Sequence, residues 1–202
     1  MERQDKRDIR IQLAIAKQQG KLIEVHNLQD DSYFNVGFVV GLNDQFCLMI
    51  SIDWDGKING LIVIKINSIN KIKDETDYLM TVSEKTKVAH RFDYFDIWKI
   101  QKFLDDHPEI TQGNLLMNIL RDSAENNFPV TIGTEKFEGR DDFSGMIHNL
   151  NEFTLNLHYI NEHDLSSMWS YDILLRQINY VRARGTQMET TKQIMSDLFH
   201  QF

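Results

Sequence analysis

The chain has 202 residues, 42% hydrophobic, 26% charged and 10% aromatic, which suits a folded protein and excludes disordered, collagen-like and disulfide-stapled classes. The single cysteine, Cys47, has no partner for an internal bridge. No apolar run approaches the roughly 18 residues of a membrane helix, and the charged start does not resemble a signal peptide, so a cytoplasmic protein with no membrane partner is expected. The formal charge of −8 is uneven: residues 1 to 91 hold 13 basic and 13 acidic side chains, residues 92 to 202 hold 9 and 17. That balance argues against strong nonspecific binding of nucleic acid and against DNA as a partner.

In chain order, Ile9, Leu13 and Ala16 sit three and four apart and predict a helix, stopped by Gly20. Leu22, Ile23 and Val25 predict a strand. Gly37 and Gly41 interrupt the next strand, marking a sharp bend or bulge. Phe46, Leu48, Ile50 and Ile52 then alternate as a half-buried strand does, and Ile62, Ile64, Ile66, Ile69 and Ile72 predict the last two strands. The polar run Ser83 to Lys87 marks residues 75–92 as a flexible stretch. Phe95, Trp98 and Phe103 predict a connecting helix closed by His107 and Pro108, with Thr111 capping the helix that follows.

The pattern then repeats. Leu116, Ile119, Leu120 and Ala124 predict a second helix, and Val130 and Ile132 a strand after Pro129. Phe143, Gly145, Ile147, Leu150, Asn151 and Glu152 match Phe34, Gly37, Val39, Leu42, Asn43 and Asp44 at an offset near 108. Phe153, Leu155, Leu157 and Tyr159 repeat the alternation of Phe46 to Ile52. Tyr171, Ile173, Leu175, Ile178 and Val181 answer Ile62 to Ile72, and Asn179 answers Asn70. Met188, Ile194, Met195, Leu198 and Phe199 predict a terminal amphipathic helix.

The stretch Gly37-Phe38-Val39-Val40-Gly41-Leu42-Asn43-Asp44 with the alternating residues after it resembles the first signature of Sm and Sm-like proteins, the family of bacterial Hfq, and also of uncharacterised Sm-like proteins of Gram-positive bacteria. The resemblance implies a mainly β, α+β chain with flanking helices. Two five-stranded small barrels would each follow a helix, with a helical connector between them and a C-terminal helix. The implied divisions are 1–80, the connector 81–111, and 112–202. In that family RNA bases are held by a residue after the loop Asp and by an Arg and Asn ahead of the last strand. Here those positions fall on Cys47, Lys65 and Asn67. The resemblance implies an RNA pocket of Asp44, Phe46, Lys65 and Asn67, with Lys71 and Lys73 on phosphates. The second copy has Leu174, Leu175 and Arg176 at the matching place and keeps no recognisable base pocket.

Other constellations are weaker. Ser51, Asp53, Asp55, Gly56 and Ile58 fit part of a calcium loop, but the twelfth position is Ile62 rather than a bidentate Glu, so a polar hairpin turn is expected. His158, Glu162, His163 and Asp164 gather possible ligands within seven residues, yet a solvated turn explains them more simply. Arg3, Lys6, Arg7 and Arg10 share a helix with Asp5 and Asp8, as a solvated face does. The common catalytic signatures are absent. Cys47 reads as a core thiol and the series Phe92 to Phe103 as packing surface. The expectation is a non-catalytic protein-interaction or assembly module without a cofactor or metal, acting on a protein partner or on itself. The alternatives are an RNA-binding regulator using the first copy, or a metal-dependent module.

Overall fold

The structure, a computed structural model, describes residues 4–28, 30, 33–139, 142–161, 164–166 and 169–199. It is a mixed α+β chain that divides into two compact units, Met1–Leu115 and Leu116–Phe202.

Unit 1 opens with α1 (Lys6–Gln19), started by the Asp5 side chain, which accepts the Arg7 N–H, and stopped by Gly20 in the left-handed region. Ile9, Leu13 and Ala16 are its buried face. The two larger residues each contribute about 1.5–3 kcal/mol of burial. Five strands follow: β1 (Leu22–His26), β2 (Asn35–Leu42), β3 (Phe46–Ile52), β4 (Ile58–Lys65) and β5 (Lys71–Lys73), in the antiparallel order β5-β1-β2-β3-β4. A 3-10 turn, Ile66–Ser68, joins β4 to β5. The ladder of this unit does not close between β4 and β5 among the described residues.

The glycine bend forms where the sequence predicts it. A Cβ on Gly37 would stand 2.1 Å from the Ile50 carbonyl oxygen, so β3 crosses β2 at a spacing only glycine permits. The register then slips between Val39 and Gly41.

Residues 75–92 form a helix, not a flexible stretch. This is α2 (Asp77–Arg91), capped by the Thr76 hydroxyl on the Leu79 N–H, with Leu79, Val82 and Ala89 buried. The polar run Ser83 to Lys87 lies on a helix whose apolar residues are spaced too widely to read as a continuous pattern. The connecting helix is also shorter than expected. Phe95 lies in the turn after α2, where its carbonyl accepts the Ile58 N–H at 2.8 Å, and α3 spans Ile100–Asp106. Both Asp96 carboxylate oxygens accept backbone N–H groups, from Ile100 and Gln101 at 2.7 and 2.9 Å. Thr111 ends a 3-10 turn, Pro108–Thr111, and does not cap the next helix, which starts at Leu115.

Unit 2 contains α4 (Leu115–Glu125), β6 (Val130–Thr134), β7 (Phe143–Leu150), β8 (Thr154–Tyr159), β9 (Ser170–Leu174), a 3-10 turn (Leu175–Gln177), β10 (Ile178–Ala183) and α5 (Thr186–Phe199). Its strands run β10-β6-β7-β8-β9, the order of unit 1 over again. A Cβ on Gly145 would meet the His158 carbonyl oxygen at 2.2 Å, and the β7–β8 register slips between Ile147 and Asn149. Both features lie 108 residues beyond their counterparts. Phe153 is the exception to the expected alternation. It occupies the turn position of Gln45 and is 74% exposed, because the Asn151 turn rather than Phe153 marks the start of β8. In the core, Arg184 makes two bonds of 2.8 and 2.9 Å to Asp122 while its guanidinium lies 4.2 Å from the Phe128 ring.

Candidate functional site

The residues singled out in the first copy gather at one end of unit 1. Asn43 builds the β2–β3 turn: its side-chain oxygen accepts the Gln45 and Phe46 N–H groups at 2.9 and 2.7 Å. Its amide also donates to the Gly113 carbonyl at 2.8 Å. This fixes Asp44 at the tip, exposed, where Arg10 of α1 donates to its carbonyl at 2.6 Å. Phe46 pairs with Lys65 across β3 and β4. The Ile66 N–H donates to the Gln45 carbonyl at 2.8 Å, which holds the 3-10 turn carrying exposed Asn67 against the same loop. The backbones of Asp44, Lys65 and Asn67 therefore lie around one turn. Phe46 joins them by its backbone, while its ring is buried, 6% exposed.

Lys71 and Lys73 stand on β5, opposite His26 and Glu24 of β1. The Lys73 ammonium is 3.8 Å from a Glu24 carboxylate oxygen and so balances a buried acid. Glu24 also accepts the Thr76 hydroxyl, and its second oxygen lies 3.4 Å from His26 Nε2. Burial holds the His26 pKa below its ordinary value of 6.5, partly opposed by the Glu24 contact and reinforced by Lys71 and Lys73. Sequence reasoning missed this charged cluster, because the strand pattern of Leu22, Ile23 and Val25 carries no signal for the burial of Glu24 and His26.

The remaining constellations resolve as follows. Asp53 accepts the Asp55 and Lys57 N–H groups at 2.9 and 3.2 Å in the hairpin between β3 and β4, which commits one of its oxygens to the turn. His158 is exposed on β8, and Asp164 accepts the Ser166 N–H; Glu162 and His163 lie outside the described residues. Among the described residues no group of three or more His, Cys, Asp or Glu could hold a metal ion, and no helix is long and apolar enough to cross a membrane. Cys47 is buried, and that burial pushes its thiol up to about 12, so the nucleophilic thiolate is suppressed. In the basic set of α1, Lys6 donates to the Ile69 carbonyl, and Arg3 lies outside the described residues. The aromatic series is split between the end of α2, the turn after it and α3: Phe92 is exposed, Phe95 buried.

Strand edges form the other candidate surface. In unit 1 the outward N–H of Ile72 on β5 donates to the Gln4 side chain at 2.8 Å, and the Gln4 N–H donates to the Asn70 carbonyl. The N-terminal segment thus covers part of that edge. β9 is the outer strand of unit 2, and Ser170, Tyr171 and Asp172 are exposed. The Tyr159 N–H donates to the Trp169 carbonyl, and in an antiparallel ladder this phase alternates. Ser170, Asp172 and Leu174 therefore direct their backbone groups away from β8. The chain matches no family model, no curated protein and no solved structure.

Proposed function

We propose that the protein is a non-catalytic assembly module made of two divergent Sm-like units, each a small, strongly bent five-stranded sheet, and that copies of the chain join through edge strand β9. The observation that carries this reading is strand β9, whose first three residues are exposed and whose alternate backbone groups point away from β8. An open edge of this kind pairs readily with another strand. The glycine-tight crossing of β2 on β3, its repetition in unit 2, and the 3-10 turn before each last strand support the Sm-like assignment.

Charge favours a head-to-tail arrangement. Two β9 strands paired about Asp172 would set like charges opposite each other, while β5 offers Lys71 and Lys73 on either side of Ile72. The incoming strand takes the place of the Gln4 amide at the Ile72 N–H. Sedimentation and light scattering of the purified chain test this. The expected result is concentration-dependent self-association, abolished in Ser170→Pro, which removes one outward N–H while leaving the β8 ladder intact. A parent protein that stays monomeric at high concentration overturns the reading. RNA that co-purifies and is lost in the Lys65→Glu, Lys71→Glu variant replaces it with the RNA-binding one.

A further inference from the structure

Unit 2 contains a cavity of about 380 Å³ between the turn after β6 and strand β9, within the range of small-ligand sites. Three aromatic rings wall it. Phe143, the first residue of β7, lies 5.2 Å from Phe137 at 66° and 4.7 Å from Tyr171 at 43°, centroid to centroid. Tyr159 braces Tyr171 from β8 at 87°. The rings thus stand as angled walls rather than a flat stack. Phe137 and Tyr171 are 38% and 37% exposed, so part of each ring is open to the cavity mouth. Glu135 and Lys136 also line the cavity, and so does Asp172, whose carboxylate accepts the Asn156 amide at 2.8 Å. The Lys136 ammonium already stands 5.0 Å from the centre of the Phe137 ring.

Aromatic faces carry negative potential, and Glu135 offsets Lys136, so the cavity favours a cation over phosphate. A primary ammonium would give up strong hydration on entering walls made of rings. An alkylated ammonium keeps its charge diffuse over methyl groups that pack on ring faces and need no internal acceptor. Unit 1 lacks the device. Counted from the equivalent Gly37 and Gly145, the place of Phe143 is taken by Asn35, bonded to Asn27 at 2.7 Å, and not by Phe34 as the sequence match has it; the place of Tyr171 is taken by Ile62, 1% exposed.

We propose that this pocket binds an alkylated ammonium group, carried either by a small quaternary amine or by a methylated lysine side chain. The site does not depend on self-association, and Ser170→Pro should retain it. Isothermal titration of the full chain with choline, with its neutral carbon isostere 3,3-dimethylbutanol, and with a trimethyl-lysine peptide provides the test. One cation should bind per chain, at least tenfold more tightly than the neutral isostere. Phe137→Ala, at an exposed turn, and Tyr171→Leu should each weaken it by about three- to tenfold. Tighter binding of the peptide than of choline identifies a protein source, and the reverse a small amine; both support the proposal. Equal binding of the isostere, no binding of either cation, or unchanged binding in both ring variants overturns it. So does AMP binding where choline does not.

Discussion

Unit 1 and unit 2 share their backbone devices and differ in what surrounds the strand after the first helix. Beside β1, unit 1 buries Glu24 and His26, with exposed Lys73 and half-buried Thr76 and Phe34 against them, together with the hydrogen-bonded pair Asn27 and Asn35. At the matching place in unit 2, Thr131 and Ser144 share one hydroxyl bond of 3.0 Å, and Gly133 makes room for the Tyr180 ring. The Tyr180 hydroxyl donates to Asp142 and accepts the Gly139 N–H. A buried acid and histidine thus give way to hydroxyls and a buried phenol, and a hydrogen-bonded amide pair gives way to an aromatic-walled cavity. The difference teaches that the bend of the sheet is set by a few glycines and asparagines, which leaves the flanking positions free to diverge in chemistry.

The largest expected effect separates shared backbone devices from private side-chain packing. Gly37→Ala and Gly145→Ala each force a Cβ against a carbonyl oxygen that the ladder holds in place, and each should cost about 4 kcal/mol or prevent its unit from folding. Gly133→Ala instead meets the Tyr180 ring at 2.1 Å. Overpacking of that kind costs about 1–3 kcal/mol. Tyr180→Leu in the same chain should recover most of the loss, whereas no side-chain change should rescue Gly37→Ala. Denaturant unfolding of these variants measures this, and equal rescue at both sites would erase the distinction.

A second difference is one of pH. Because the folded pKa of His26 lies below 6.5, the unfolded chain binds more protons once the pH drops to that value. The stability that neutral His26 supports is complete above about pH 6.5 and is lost as the pH falls toward the lowered folded value. With Trp169→Phe, the two remaining tryptophans, Trp54 and Trp98, report on unit 1. Its unfolding midpoint should fall between pH 7.5 and 5.5, and His26→Gln should flatten that slope. An unchanged slope would assign the titration elsewhere.

The smallest effect tests the sameness of the two units. Asn43 and Asn151 build identical turns: Asn151 accepts the Phe153 and Thr154 N–H groups, both at 2.9 Å, as Asn43 accepts those of Gln45 and Phe46. Alanine at either site should cost about 1 kcal/mol. The two losses should agree within a few tenths, because each amide also makes one further bond of 2.8 Å, from Asn43 to the Gly113 carbonyl and from Asn151 to the Thr154 hydroxyl. A large disparity in thermal midpoint would mean that the two turns serve different ends.

The candidate site was legible in part. That the segments carrying Asp44, Lys65 and Asn67 flank one turn followed from the short loops between strands. That the Phe46 ring is buried did not follow, because alternation reveals two faces of a strand without saying how deeply either is covered. The aromatic pocket was invisible for a related reason. Phe137, Phe143 and Tyr171 come from a turn and two strands that are not adjacent in sequence, and Phe143 looked like one more repeat position. The covered edge at β5 depends on where the Gln4 side chain lands.

By itself the sequence determined the number and order of strands, the helix ahead of each set, the glycine bends and the recurrence near 108 residues, because periodicity, glycine and turn-forming asparagine act over a few residues. Tertiary structure decided that residues 77–91 are helical, that Glu24 and His26 are buried, that β9 keeps an open edge, and that three distant rings enclose a cavity. Those outcomes depend on which surfaces meet, and burial and ring geometry arise only when segments far apart in the chain are brought together.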